Sequence, residues 1–264
     1  MATFTAKDVQ ALRRQTGAGM MDAKKALKGN NGDFVEAAKW LRETGIAKSA
    51  TRSDRANTEG VVAANRSEGV AAAVELKCET DFVAKSEAFI AMAEDLADLV
   101  AQHGETAVEK RASELEDMKI TLKENIQIGR IARFEAGPDE VLDGYVHMQN
   151  GRGVNVVLVH LSGGTAEVAR DIAMHAAFSR PRWVKKEEVP DEVLSAERES
   201  LAAITRNEGK PETAVDKIVE ARLGGFLRDH VLLEQKWVKD ESRTIGQLLG
   251  DNDVRNFSQI EIGS

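Results

Sequence analysis

Cysteine is nearly absent from this chain, which has Cys78 alone among its 264 residues. A single cysteine excludes an internal disulfide and any metal site of the CxxC type. The histidines are scattered, and none has a second histidine at the HxxxH spacing that is typical of a zinc-binding helix. The sequence therefore predicts no bound metal and no cofactor.

Long apolar runs are also missing. No stretch approaches the roughly 20 apolar residues that a membrane-spanning helix needs. The opening segment, MATFTAKDVQALRRQ, contains no apolar signal region. We therefore expect a cytoplasmic protein without a membrane partner.

The signatures of common enzymes are lacking as well. The sequence has neither a G-x-x-x-x-G-K-[ST] phosphate loop nor a G-x-S-x-G nucleophile elbow. His175 follows Met174 on an apolar helix face, so we interpret it as a core residue rather than a general base. We expect no catalytic residues and no directly bound nucleotide, because an enzyme would need a polar pocket that the sequence does not show.

The charge is unevenly distributed. Residues 1–55 contain eleven Lys/Arg and six Asp/Glu, a net +5, whereas the remainder contains 25 and 38, a net −13. A basic segment on an acidic body is typical of binding either to nucleic acid or to an acidic protein surface. The basic segment has no long run of Lys and Arg and no set of stacking aromatics, which favours a protein partner over nucleic acid.

The first part of the chain, residues 4–45, has the pattern of three short helices. Thr5 and Asp8 form a capping box at the first helix, and Asp33 caps the third, which we expect to end at Gly45. Three helices in about forty residues resemble the ubiquitin-associated type of fold, a small bundle that usually acts as a docking module. The helical spacing predicts these inward-facing residues: Val9, Leu12, Met20, Ala23, Leu27, Phe34, Ala37, Ala38 and Leu41.

Met21 does not fit that core. On a helical projection it lies about 130° from the centre of the apolar stripe, among Lys24, Lys25 and Lys28. Two interpretations stay open, namely a scattered exposed methionine and an apolar anchor inside a basic contact patch.

An internal repeat follows. Gly60 to Leu76 and Gly144 to His160 each resemble two strands joined by a polar turn. Gly60 aligns with Gly144 and Gly69 with Gly153, both at an offset of 84. We expect a helix after each of these predicted hairpins.

The helices align at a smaller offset. Ile90-Ala91-Met92 matches Ile172-Ala173-Met174 at an offset of 82, so the first copy has two extra residues between its second strand and its helix. These residues fall within Glu79-Thr80-Asp81-Phe82-Val83-Ala84-Lys85. A minimal connection needs small turn residues, whereas this one carries an apolar ring beside a carboxylate. Either Phe82 folds back on its own helix while Asp81 caps it, or Phe82 is a rigid anchor for a partner's pocket.

The remaining segments complete an α+β fold of small antiparallel sheets covered by helices. An amphipathic helix between the copies leads into a strand over 127–135, and a helical hairpin spans about 190–228, its second helix ending at Gly224-Gly225. Thr244 and Gln247 form a capping box for a short helix over Ile245-Leu249. We divide the chain into 1–55, a three-helix docking domain and linker; 56–140, the first half of a duplicated core; and 141–264, the second half with the hairpin and a C-terminal module.

Two segments carry a family resemblance. Residues 12–27, LRRQTGAGMMDAKKAL, resemble the L-R-x-x-T-G-A-G-M-M-D-x-K-K-A-L signature of the elongation factor Ts family, and residues 79–84, ETDFVA, resemble its T-D-F-V motif. The duplicated core, the helical hairpin near GKP and the TIGQLL stretch are also similar. The resemblance covers nearly the whole chain.

The resemblance implies a guanine-nucleotide exchange factor for the GTPase elongation factor Tu, acting by contact rather than as an enzyme. It implies that Thr80, Asp81, Phe82 and Val83 dislodge the magnesium ion that clamps GDP in the partner. A docking adaptor without exchange activity is the alternative. By the same resemblance the partner-binding residues are Arg13, Met20, Met21, Lys24, Arg52 and His147.

One turn departs from the family pattern. Lys123 stands where relatives often have a small residue, in Leu122-Lys123-Glu124-Asn125. A contact attributed to that turn in the family therefore does not transfer directly to this chain.

Overall fold

The computed structural model describes residues 4–67 and 69–264, and the first of these ranges opens with a three-helix head. The Thr5–Asp8 capping box is confirmed, and Asp33 caps the third helix by accepting from two backbone amides. Val9, Leu12, Ala23, Leu27 and Leu41 are buried in its small core. The helices are α1 Ala6–Thr16, α2 Met20–Gly29 and α3 Phe34–Ala50.

Two expectations for the head were wrong. Helix α3 does not end at Gly45 but continues to Ala50. A glycine is needed there for packing, because a Cβ at Gly45 would lie 2.6 Å from Cγ2 of Ile120. Met20 is 46 % exposed, since it is the first residue of α2 and the buried stripe begins one turn later at Ala23.

The first half of the core is a three-stranded antiparallel sheet covered by helices. The strand order is β1-β2-β3, with β1 and β2 forming the predicted hairpin. The elements are β1 Glu59–Ser67, β2 Val70–Cys78, α4 Asp81–Ala84, α5 Glu87–His103, α6 Ala112–Leu122 and β3 Gln127–Glu135, with a 3-10 helix at Glu105–Arg111 before α6.

The second half repeats this arrangement with a second sheet of order β4-β5-β8. The last helix, α10, begins at the predicted Thr244–Gln247 capping box. The elements are β4 Glu140–Gln149, β5 Arg152–Ser162, α7 Ala166–Ser179, α8 Asp191–Asn207, α9 Glu212–His230, β6 Lys236–Trp237, β7 Asp240–Thr244, α10 Ile245–Leu249 and β8 Asp253–Glu261, with short 3-10 helices at Lys186–Glu188 and Leu232–Glu234.

The two sheets pack against each other through their inner faces. Val62 and Ala73 of the first sheet share a buried cluster with Val156, Leu158 and Ile260 of the second. The opposite face of each sheet is covered by its own helix, α5 in the first half and α7 in the second. The observed fold is the expected α+β class, whereas the boundaries of the three proposed domains stay a prediction.

The hairpin alignment needs correction at its turns. Gly69 lies in the first turn with φ +74°, but its predicted equivalent Gly153 lies inside β5. The turn glycine of the second hairpin is Gly151, with φ +80°. A constant offset of 84 therefore aligns the first strands but not the turns, because the two hairpins differ in length.

The connection after each hairpin also differs from the prediction. Residues 79–86 separate Cys78 from Glu87, whereas residues 163–165 separate Ser162 from Ala166, which is eight residues against three. The first connection is thus longer than its counterpart by more than the expected two residues. The excess accommodates the one-turn helix α4.

The second helix of the predicted helical hairpin does not end at Gly224-Gly225. Helix α9 continues to His230, and the ring of Phe226 stacks on His230 with centroids 4.5 Å apart. A glycine inside a helix costs about 1 kcal/mol. The packing of this last turn, followed by the buried Val231, offsets that cost.

In the described part of the chain, no helix is long and apolar enough to cross a membrane.

Candidate partner-binding site

The segment Thr80–Val83 projects from the first half of the core. Thr80 caps α4, its hydroxyl accepting from the backbone N–H of Val83. Phe82 lies in this single turn of helix with its side chain 84 % exposed. The ring therefore does not fold back onto α5, and Thr80 rather than Asp81 supplies the cap.

Asp81, beside the ring, is held by an ion pair. Lys85 donates to its Oδ2 at 2.5 Å, one turn along the chain. The Lys85 ammonium holds the pKa of Asp81 below its ordinary value. The segment therefore presents an ionised carboxylate next to an exposed aromatic ring at neutral pH.

Glu124 supports the segment from behind. Its Oε2 accepts from the backbone N–H groups of Glu79 at 2.9 Å and Thr80 at 3.1 Å, and its Oε1 accepts from the Thr80 hydroxyl at 2.5 Å. Sequence reasoning missed this residue, since a glutamate just after a helix gives no sign of a partner more than forty residues earlier.

The same turn is bonded further to the linker before β1. The backbone N–H of Asn125 donates to Oε1 of Glu79 at 2.7 Å, and Arg55 lies 3.5 Å from the same carboxylate oxygen. The Asn125 amide donates to the carbonyl oxygens of Ser53 at 3.0 Å and Arg55 at 2.6 Å. Linker, turn and projecting segment thus form one hydrogen-bonded unit.

Cys78 closes the inner side of this unit. Its thiol is buried and donates to the carbonyl oxygen of Thr80 at 3.3 Å. Burial raises the pKa of Cys78 to about 12, and the nearby carboxylate of Glu124 acts in the same direction. The thiol is therefore protonated at neutral pH, and its position indicates packing rather than reactivity.

The head presents the predicted contact residues on its surface. Arg13, Met20, Met21 and Lys24 are all exposed, and Met21 is 73 % exposed. An exposed methionine beside lysines fits both interpretations of Met21, so its role stays a prediction.

Arg52 lies at the junction of head and core. Its Nη1 donates to the carbonyl oxygen of Lys119 near the end of α6, at 3.3 Å. At the same junction, a Cβ at Gly17 would lie 2.9 Å from Cγ2 of Thr121, so this glycine allows close approach of head and core. A cavity of about 130 Å³ between head and core is lined by Arg52, Lys123 and Trp40. Arg52 thus has an internal partner besides any external one.

His147 belongs to the second half of the core. It is exposed at the end of β4, and its Nδ1 lies 3.2 Å from the hydroxyl of Tyr145. It lines a groove of about 510 Å³ together with Phe178, which is 75 % exposed, and Arg180. Phe178 was not singled out from the sequence, because at the end of α7 it continues an apolar helical face.

The structure brings some predicted residues together and leaves others apart. The head and the Thr80–Val83 segment both adjoin the C-terminal end of α6, through Thr121 and Glu124 respectively. His147 lies on the other sheet. Within residues 4–67 and 69–264, no group of three or more His, Cys, Asp or Glu is placed to hold a metal ion.

Fold and site together define a protein with a three-helix head, a duplicated α+β core and a braced segment that presents an aromatic ring to solvent. Comparison with known proteins gives the family. The family model described as "Elongation factor TS" matches residues 79–264. The chain therefore belongs to the elongation factor Ts family.

Individual relatives agree over the full length. The elongation factor Ts of Clavibacter michiganensis is 40 % identical, with 100 % of both chains covered. That of Acidothermus cellulolyticus is 42 % identical, covering 100 % of this chain and 99 % of the relative. That of Pediococcus pentosaceus is 39 % identical, covering 100 % and 93 %.

Proposed function

We propose that the chain is a guanine-nucleotide exchange factor for the translational GTPase elongation factor Tu. It binds the GDP form, displaces Mg²⁺ and promotes GDP release so that GTP can rebind. Family membership supports the role in translation elongation. The single structural observation that supports the mechanism is the exposed Phe82 on its braced turn of helix.

Exchange of this kind needs no catalytic group on the factor. A factor that binds the empty partner more tightly than the GDP-bound partner weakens GDP binding by the same ratio, because the coupling is reciprocal. A thousandfold weakening requires about 4 kcal/mol of differential binding. We therefore propose that the chain acts by contact and is not an enzyme.

Phe82 is the proposed wedge. A large ring exposed to water gains free energy when it enters an apolar pocket, and a buried aromatic anchor contributes about 2–4 kcal/mol. The ionised Asp81 lies beside the ring, where its carboxylate would disturb the coordination of the partner's Mg²⁺. Loss of that ion from a diphosphate site weakens the site further.

The remaining contacts supply affinity. Exposed residues of the head would bind one part of the partner, and His147 on the second sheet would bind another. Because these contacts form in both nucleotide states, they lower the dissociation constant without raising the maximal release rate. The proposed affinity residues are Arg13, Met20, Met21, Lys24, Arg52 and His147.

The test is GDP release in a stopped-flow instrument. Elongation factor Tu loaded with a fluorescent GDP analogue is mixed with increasing concentrations of the chain, and the maximal rate is separated from the half-saturating concentration. Phe82→Ala should lower the maximal rate about 30-fold or more, the equivalent of about 2 kcal/mol. The half-saturating concentration, which reports affinity for the GDP-bound partner, should change much less.

Phe178→Ala is the matched control. Phe178 is the same residue type and is 75 % exposed against 84 % for Phe82, but it lies on the other half of the core. It should retain the wild-type maximal rate. Release at wild-type speed by Phe82→Ala contradicts the wedge, and binding without any acceleration by the wild-type chain favours the docking-adaptor alternative.

Chelation of Mg²⁺ tests the ion step separately. If Phe82 and Asp81 act by dislodging the ion, then wild type and Phe82→Ala should release GDP at converging rates in excess EDTA. A rate difference that persists undiminished without Mg²⁺ would show that the ring acts by another route.

A further inference from the structure

The side chain of Glu124 contacts the base of the Thr80–Val83 segment, which is formed by Glu79 and Thr80. Among the hydrogen bonds of the described residues, no other side chain from the turn after α6 reaches this base. Its carboxylate accepts from two backbone N–H groups and one hydroxyl. Hydrogen bonds to an ionised acceptor are roughly twice as strong as neutral ones. One charged side chain thus accepts both backbone N–H groups and the hydroxyl at the base of the segment.

The position of Glu124 is itself determined by its neighbours. Lys123 has φ +62° and ψ +29°, a left-handed conformation that ends α6 and redirects the chain. Asn125, which follows, is bonded through its amide to carbonyl oxygens of the linker. Ile126 is fully buried in the first core. The backbone at Glu124 is therefore held in place by the residues on either side of it.

We propose that Glu124 is a positioning residue for nucleotide exchange. It holds Thr80 at the start of α4 so that Phe82 is presented outward before the partner arrives. The inference rests on the proposed function for its kinetic effect. Its structural part, the fixed base of the segment, concerns the free protein alone.

The physical reason is pre-organisation. Phe82 is exposed, so its own contacts with the protein do not hold it in place. Without Glu124, the N–H groups of Glu79 and Thr80 lose their acceptor and the turn samples other conformations. The partner's pocket would then meet a disordered segment, and the cost of ordering it would reduce the free energy available for displacing GDP.

Glu124→Gln is the informative substitution, because the side-chain volume is kept while the charge and one acceptor oxygen are lost. Glu114→Gln is the matched control, since Glu114 lies on α6, the helix that precedes this turn, where its carboxylate is exposed and lies 3.7 Å from Arg111. Glu124→Gln should lower the maximal GDP release rate about tenfold with less than about a threefold change in the half-saturating concentration, which reports affinity for the GDP-bound partner. Glu114→Gln should match the wild type in both.

Amide hydrogen exchange of the free protein supplies the second measurement. The amides of Glu79 and Thr80 should exchange at least about tenfold faster in Glu124→Gln, while those of β2 and α5 keep their protection. Loss of protection throughout β2 and α5 would mean general destabilisation and would overturn the positioning role. Unchanged exchange at both amides would overturn it as well.

A double-mutant cycle with Thr80→Val links the two residues. Thr80→Val removes the hydroxyl contact with Glu124 but keeps both backbone N–H groups, so the loss of rate in the double variant should be smaller than the product of the two single losses. Additive losses would overturn the inference. If the wild-type chain itself fails to accelerate GDP release, the proposed function fails, while hydrogen exchange still decides whether Glu124 fixes the segment.

Discussion

Met21 offers a quantitative test of the head as a contact surface. Its side chain is 73 % exposed in the free protein, and so is that of Val35 on α3. Full burial of a methionine side chain contributes about 1.5–3 kcal/mol. Burial of the exposed 73 % against a partner should then contribute about 1–2 kcal/mol.

Met21→Ala should therefore weaken binding to nucleotide-free elongation factor Tu about 5- to 30-fold, since 1.4 kcal/mol corresponds to a factor of ten. The assay is a calorimetric or fluorescence titration at fixed ionic strength. The urea midpoint of the free chain should stay within error of wild type, because truncation of an exposed side chain removes few internal contacts. The maximal rate of GDP release should also be kept.

Val35→Ala is the control for exposure itself. It removes apolar surface from a side chain with the same 73 % exposure on a different helix of the same head. Wild-type affinity is expected for Val35→Ala. If Met21→Ala binds as tightly as wild type, or if both variants weaken binding equally, Met21 is a scattered exposed methionine and the anchor interpretation is wrong.

Two further predictions concern stability. His175 is fully buried, its Nε2 2.9 Å from Oε1 of Gln235, and burial lowers its pKa. The unfolded chain therefore takes up a proton at a higher pH than the folded one, so the free energy of unfolding should fall as the pH drops below about 6.5, by up to about 1.4 kcal/mol per pH unit. Urea midpoints between pH 7.5 and 5 measure this fall. His175→Gln should reduce the dependence of the midpoint on pH. Lys123→Gly should raise the free energy of unfolding by about 0.5–1 kcal/mol, because φ +62° strains a residue with a Cβ; an unchanged or lower midpoint would contradict this.

Local sequence signals predicted the elements that local chemistry determines. The capping boxes at Thr5 and Thr244, and the cap at Asp33, act within three residues and are confirmed. The two hairpins and the helices that follow them are present as expected. These features depend on short-range hydrogen bonds and on apolar periodicity, both of which a sequence displays directly.

The errors occurred where tertiary contact overrides a local preference. The sequence pattern predicts helix ends at Gly45 and Gly224, yet both glycines lie inside helices. At Gly45 the lack of a side chain leaves room for Ile120, which lies some seventy residues later in the sequence. Such a partner is invisible to any local pattern, because a glycine that ends a helix and one that admits a neighbour look the same in sequence.

The site was predicted in part for the same reason. The exposed aromatic segment could be placed, since Phe82 in a connection is unusual, but its support could not. Glu124 follows α6 among ordinary charged residues, and only the fold places it behind Thr80. Hydrogen bonds between residues far apart in the sequence therefore set the geometry of a motif that is itself short.

The end of α6 explains why head and segment can act together. Thr121 meets the head at Gly17, and Glu124, three residues later, fixes the base of the projecting segment. A head on a free tether would gain affinity yet leave the orientation of Phe82 to chance, so much of its binding free energy would be lost as conformational entropy. Because both elements adjoin the same turn of chain, a partner held by the head would meet Phe82 in a fixed orientation. Under the proposed function, less of the binding free energy of the head is then lost in ordering the segment, and more of it is available for displacing GDP.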